Sequence, residues 1–495
     1  MSGELADLGV AEASEALGAG RITSERLTEA CLERIAARDA AFGAWLRVDA
    51  DAALADARAA DARRAGGDAG PLVGVPVGLK DLIGVAGRPL TADSALLAGN
   101  VAARDATAWE RLRDAGMVLL GHLHCGELAC GAWGRNPWDP AFSPGGSSSG
   151  SALALATRTV PATLGSDARG SIREPASFTG VTGMKPSFGL VSTAGCIPFT
   201  FSFDVVGPMA RSALDCALLL QALAGPDLAD RASLLQPPVP RYPTAPRGGE
   251  RPLAGTRIGV PRFADGFLAA GVAAVVERFH EQLAGLGATL VEIHRVHDPL
   301  EAGGFLTLLA GEARAVLAQL TGREHLHRSE FKELFDEMSE HVGSAVDYVQ
   351  GQLQRAELVA AWHAVFAAHR LDAVVEPGSI AEIYRQGAPF DVDVDLGLYG
   401  MWSDANFPVL MLPAGVSPTD GGPVGMQVVG LPFHDARLLQ VGIDYQAATG
   451  YHMVEPPLLA DVAALDPYVG PPVPDGEPQP AWVPPRNMLD ALLPQ

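Results

Sequence analysis

Lysine is scarce in this chain, and the scarcity points to chemistry. Only Lys80, Lys185 and Lys332 occur among 36 basic residues, which leaves 36 − 3 = 33 arginines. A sequence so biased uses Arg wherever a generic positive charge suffices. Lys332 falls in a charged, helical stretch and needs no further account. Lys80 lies in "VPVGLKDLIGV" (75–85), an apolar run punctuated by glycine, where a long charged side chain is costly unless it has a role. Burial can lower a lysine's pKa until it serves as a neutral base, whereas Arg stays protonated. Two readings stand side by side: a structural ion pair with Asp81 or another carboxylate, and a general base.

A base needs a proton to take. Ser147 and Ser171 are candidate hydroxyls, each set among glycines in "SPGGSSSGSALALATRTVPATLGSDARGSIREPASFTGVTG" (143–183). Glycine permits backbone conformations that gather N–H groups around a reacting oxygen. Asp167 and Arg173 flank Ser171, and a buried pair of that kind pins a loop. The apolar flanks argue against a flexible linker. No Lys follows either cluster as a phosphate loop requires, and the G-x-S-x-G elbow is absent around Ser171.

The elements that must position these residues read as α/β. "TSERLTEACLERIAARDA" (23–40) has Thr23 or Ser24 as a cap and Leu27, Cys31 and Ile35 on one stripe, and residues 22–65 read as helices. A helix then an apolar strand "MVLLG" follow in 105–121. A small-residue helix follows the first Gly/Ser cluster, and a strand runs into the second. Residues 256–300 alternate strand, helix, strand; 301–369 are mostly helical; "LDAVVEP" and "GMQVVG" are further strands. The Pro-rich stretch 453–495 is expected to lie extended over the surface.

Composition bounds the function. Hydrophobic residues make up 48% and charged residues 19%, enough to build a large core. A net charge of −22 disfavours nucleic acid and anionic membrane surfaces. Cys31, Cys125, Cys130, Cys196 and Cys216 lack metal or disulfide spacing, no His pattern suggests a metal site, and no run is apolar enough to span a bilayer. The expectation is a soluble cytoplasmic protein.

The motifs together resemble the amidase signature family. The resemblance rests on "GLKD" (78–81), "RLRDAGMVLLGHLHCGELACG" (111–131), "GGSSSGS" (145–151), "SDARGSIREPASFTGVTGMKPSFG" (166–189), "SFDVVGPMARSALD" (202–215), "DANFPVLMLPAG" (404–415) and "PVGMQVVGLPFHDARLLQVGIDYQAATGYH" (423–452). It covers most of residues 20–452 and is weakest between about 260 and 400. It implies the amidase signature fold: an α/β chain with a central twisted mixed β-sheet covered by α-helices on both faces. It implies one amidase domain over 1–495, with a signature core at about 65–215, a variable substrate-pocket region at about 300–400 and a tail at 453–495. It also implies a Ser–Ser–Lys triad in which Ser171 is acylated, Ser147 bridges through a cis peptide bond with Gly146, and Lys80 is the base. Asp167 and Arg173 support it, and the backbone N–H groups of Ala168, Arg169, Gly170 and Ser171 form the oxyanion hole.

The sequence departs from the family's T-D-x-G-G-S at Ser166-Asp167-Ala168-Arg169-Gly170-Ser171, where Arg169 replaces a glycine. The guanidinium either faces solvent or a local partner, or shapes substrate choice. Asp93 and Ser149 stand where the family favours small residues, and Cys125 where Met is common. Cys125, Arg169, Trp402 and Phe407 are expected to line the pocket. The implied activity is hydrolysis of the C–N bond of linear amides, with carbamates (urethanases) and esters as further candidates. It requires neither metal nor organic cofactor. The implied partner is a small-molecule amide or carbamate, with no nucleic acid or membrane, in a monomer or homodimer. Two rivals are the glutaminase component of a tRNA-dependent amidotransferase and an inactive triad-bearing scaffold.

Overall fold

The structure is a computed structural model that describes residues 2–67, 70–298, 304–317, 342–386 and 397–471, and the single positions 332, 336 and 340. Eleven strands form one sheet: β1 (Trp45–Val48), β2 (Pro76–Lys80), β3 (Val118–Leu123), β4 (Ala162–Asp167), β5 (Thr182–Lys185), β6 (Val205–Ala210), β7 (Arg257–Pro261), β8 (Thr289–Ile293), β9 (Ala373–Pro377), β10 (Val409–Val416) and β11 (Pro423–Val429). Their order is β1-β3-β2-β4-β6-β5-β10-β11-β9-β7-β8. The pairs β2–β3, β2–β4, β7–β8 and β7–β9 are parallel, and the others are antiparallel. The sheet is therefore mixed, as expected. β2, β3, β5, β6, β9 and β11 are buried at every residue, so helices cover both faces of the sheet's middle.

Thr23 caps the helix Ser24–Phe42, its hydroxyl accepting from Arg26 N–H at 3.2 Å, and Leu27, Cys31 and Ile35 are buried on the expected stripe. Two helices fill the stretch to 65, and a short strand that the sequence did not announce parts them. Gly43 ends the first helix at φ 68°, and Trp45–Val48 pairs antiparallel with β3 before the helix Ala50–Ala65 begins. The break is a tertiary effect: a four-residue edge strand has little periodicity of its own, and its partner lies far along the chain.

The first Gly/Ser cluster runs into the helix Ser149–Ala156, which is buried along its whole length and packs against β4. Small side chains let it approach the sheet closely, which is why the segment is core and not linker. The tail is only partly extended. Residues Pro457–Ala464 form 3-10 turns, because their Leu, Ala and Val side chains favour a local fold, and Tyr468 packs edge-on against Trp133 at 5.8 Å. The tail beyond residue 471 lies outside the described residues.

Gly121, in β3, has φ 157°, and a Cβ there would stand 2.0 Å from the carbonyl oxygen of Arg47 in β1. Gly121→Ala is therefore expected to destabilise the chain by more than about 1 kcal/mol, read as a lowered urea midpoint at unchanged slope.

Candidate active site

Lys80 is the last residue of β2, and its side chain is wholly buried. Its Nζ lies 2.7 Å from Ser147 Oγ and 3.0 Å from both Ser148 Oγ and Ser166 Oγ. The hydroxyls come from the turn entering the helix Ser149–Ala156 and from β4, the strand beside β2. Among the described residues, no carboxylate pairs with this amine. Asp81 turns away, where it accepts from Arg47 and from the N–H and hydroxyl of Thr91, so the ion-pair reading of Lys80 is set aside. Burial draws the lysine down to about 8, outweighing the more distant Cys125 and Asp167.

Ser148 can only accept from Lys80, because its own hydroxyl proton goes to Ser166 O at 3.1 Å. That leaves Ser147 and Ser166 as hydroxyls able to give a proton to a neutral amine, and Ser147 is the nearer of the two at 2.7 Å. The Gly146–Ser147 peptide bond is cis, the geometry the resemblance implies. Gly146 N–H donates to Glu174 Oε2 at 2.8 Å, and Gly126 N–H to Ser147 O at 3.2 Å.

Ser171 begins the turn from β4 into the helix Arg173–Thr179. Asp167 organises that turn, accepting from Gly170 N–H at 2.7 Å, Ile172 N–H at 3.1 Å and Arg173 at 2.9 and 3.1 Å. Burial alone would raise this carboxyl, but Arg173 and Gly170 N–H hold it at about 2. Arg173 is fully buried and spends its remaining N–H groups on Tyr399 O, Gln427 Oε1 and Ser403 Oγ. Ser148 N–H donates to Ser171 O at 3.0 Å and joins the two serine segments. Ser171 Oγ itself forms no hydrogen bond among the described residues, and Ser171 borders a cavity of about 750 Å³.

One expected oxyanion donor is corrected. Gly170 N–H is already taken by Asp167 at 2.7 Å. The N–H groups of Ala168 and Ser171, which border the cavity, have no acceptor among the described residues. Arg169 does not strain the turn, because the left-handed angle falls on Gly170 at φ 123°. Its guanidinium meets a local partner, donating to both oxygens of Asp404 at 3.2 and 3.1 Å. Asp93 also finds a use: at φ 56° it accepts from Cys125 N–H at 2.9 Å and meets His124 Nδ1 at 2.8 Å.

The four expected pocket residues stand elsewhere. Arg169 is held by Asp404, and Cys125 lies in an apolar cluster with Leu82, Leu90 and Leu96. Trp402 and Phe407 pack with Trp362 and Phe366 behind the site, the Trp402–Trp362 ring centroids 4.4 Å apart. Large rings bury most area inside a core, and here the helix Ala345–His369 supplies it. The cavity wall is instead Leu82, Ile83, Val191, Ile197, Phe199 and Val316, opposite Ser166, Ala168 and Ser171. Sequence reading also missed Glu174, Ser148 and Ser166. A signal existed for Glu174, a carboxylate in the first turn of the helix Arg173–Thr179, three residues after Ser171.

Among the described residues, no cluster of three or more His, Cys, Asp or Glu could hold a metal, and no helix is long and apolar enough to cross a membrane.

A sequence model of the family described as Amidase matches residues 26–439. Over 499 aligned residues the chain is 38% identical to the A subunit of Glutamyl-tRNA(Gln) amidotransferase from Roseiflexus castenholzii, spanning 93% of this chain and 99% of that protein. Native peptide amidase from Stenotrophomonas maltophilia superposes with a TM-score of 0.76 at 31% identity, covering 89% of this chain and 97% of that one. The A subunit of Glutamyl-tRNA(Gln) amidotransferase from Thermotoga maritima superposes with a TM-score of 0.72 at 26% identity, covering 90% and 95%.

Asp167→Ala leaves the Arg173 guanidinium buried without its counter-charge. The expected cost is about 3–5 kcal/mol in chemical denaturation. A loss within the range of a surface substitution, about 0.5 kcal/mol, would overturn this account of the turn.

Proposed function

Because the chain belongs to the amidase signature family, we propose that it opens the C–N bond of an amide through an acyl-enzyme on Ser171. The observation that carries this reading is the 2.7 Å contact between a wholly buried, carboxylate-free Lys80 amine and Ser147 Oγ. Neutral Lys80 takes the Ser147 proton while Ser147 takes that of Ser171, whose hydroxyl turns from the cavity toward it. Ser171 Oγ bonds to the substrate carbonyl carbon, and the negative oxygen is held by the N–H groups of Ala168 and Ser171. The proton returns through Ser147 to the nitrogen, which leaves as a neutral amine. Water then attacks the acyl carbon along the same relay and frees Ser171. Carbamates and esters present the same carbonyl and are candidate substrates.

A second reading draws support from the relatives named as the A subunit of an amidotransferase. The amide is then glutamine, and the released ammonia passes to an acceptor on a partner instead of to solvent. The chemistry at Ser171 is the same, so the partner decides between them. Glutaminase activity that appears only with added partner subunits favours this reading. Turnover of amides, carbamates or esters by the purified chain alone favours the first. An inactive scaffold is the least supported, given the intact Lys80–Ser147 contact.

Two measurements test the chemistry. A serine-directed fluorophosphonate is expected to label the chain and to fail on Ser171→Ala; equal labelling of the variant sinks the assignment. Neutral Lys80 is the active form, so kcat/KM should climb with pH and level off above about 8. Lys80→Ala should lose roughly 10²–10⁴-fold in rate together with that limb of the profile.

A further inference from the structure

Four charged side chains border the cavity beside Ser171: Arg104, Asp204, Asp230 and Arg231. The carboxylates are occupied by the protein itself. Asp204 accepts from the N–H groups of Phe199 and Thr200 at 2.7 and 3.0 Å and from the Thr200 hydroxyl at 2.6 Å. Asp230 accepts from Thr193 N–H at 2.8 Å, from its hydroxyl at 3.2 Å and from Ala232 N–H at 3.0 Å. The guanidiniums are not so occupied. Arg104 and Arg231 are exposed, and neither forms a hydrogen bond, ion pair or ring contact among the described residues.

The segments that carry the two arginines both meet one turn, Thr193–Gly195. On the Arg104 side, Thr107 N–H donates to Ala194 O at 3.0 Å, and Gly84, which receives Ala106 N–H at 2.8 Å, donates to Gly195 O at 3.2 Å. On the Arg231 side, Asp230 holds Thr193. The border of the cavity therefore carries two cations that are unpaired among the described residues, on a chain whose net charge is −22. The four side chains balance in formal charge, but the carboxylates are turned onto N–H and hydroxyl groups of the protein, so the groups left to meet an anion are the two guanidiniums.

We propose that this cavity takes amides whose far end carries a carboxylate. Arg104 and Arg231 bind the carboxylate at the rim, the apolar walls take the intervening methylene groups, and the amide carbonyl reaches Ser171. The inference rests on the Ser171 reading and names its substrate class.

The test compares adipamic acid, the monoamide of a linear dicarboxylic acid, with hexanamide, its uncharged counterpart. Wild-type kcat/KM should favour adipamic acid by about tenfold or more, and the ratio should shrink toward one in about 1 M salt. In the double variant Arg104→Gln, Arg231→Gln the two substrates should be used equally. In Arg231→Glu the preference should turn toward 6-aminohexanamide, whose end is cationic, a gain that a misfolded variant cannot mimic. A wild-type ratio near one, or a preference that survives the double variant, overturns the proposal. If neither amide is turned over and the fluorophosphonate labels wild type and Ser171→Ala equally, the Ser171 reading fails by itself. Calorimetric binding of adipamic acid, present in the wild type and lost in the double variant, then still supports the rim site, and equal binding by both proteins removes it.

Discussion

The buried ion pair between Asp167 and Arg173 is the constraint on which the site depends. A guanidinium has five N–H groups in a fixed plane. Here they reach Asp167 at the end of β4, Tyr399 O and Ser403 Oγ in the helix Gly397–Asp404, and Gln427 in β11. Taking both charges out of water costs several kcal/mol per ion, and only this full set of partners offsets it. Asp167 uses its remaining capacity on the N–H groups of Gly170 and Ile172. The charge pair thereby fixes the backbone on both sides of Ser171. The folded-state pKa of Asp167 is depressed to about 2, so its stabilising contribution is complete above the ordinary carboxylate range and is lost only as pH falls toward that value.

A second constraint is what surrounds each buried lysine. Lys80 and Lys185 are both fully buried, and burial draws them down to about 8 and about 7. Depression alone does not separate a base from a strut. Lys185 donates to the carbonyl of Phe407 at 2.7 Å, an acceptor with no proton to give. Lys80 meets three hydroxyls, and that of Ser147 has no competing acceptor among the described residues. A neutral amine can draw a proton only in the second setting.

This difference marks how much was legible in the sequence. The rarity of lysine singled out an apolar segment but could not rank Lys80 against Lys185, since the ranking depends on contacts 67 and 222 residues away. The Gly/Ser clusters were readable because small residues beside an apolar run demand a close approach to a sheet. The short edge strand β1 was not, having four residues and a remote partner. Arg169 was expected at the substrate or near a local partner, and that partner, Asp404, lies 235 positions further on. Trp402 and Phe407 were assigned to the pocket by residue type, yet the face they present is decided by the helix Ala345–His369 against which they pack.

The stretch 300–400 acts on the cavity mostly at second hand. Of its described residues only Ala315 and Val316 border the cavity. Arg355 donates to Asp404 O at 2.7 Å and to Ser202 O and Oγ at 2.8 and 2.9 Å, and lies over the Phe203 ring at 4.1 Å. Glu312 accepts from the N–H groups of Phe201 and Ser202 at 3.0 and 2.9 Å. Two helices thus hold the wall segment 199–204 from outside, while Asp204 ties it from within. Asp404 stands at the junction, its carbonyl bonded to Arg355 and its carboxylate to Arg169 on the nucleophile turn. The cavity wall and the turn that carries Ser171 therefore share one helix, Gly397–Asp404, as their common support. A change in the outer helices therefore reaches both through Arg355 and Asp404, without touching the contacts of Lys80.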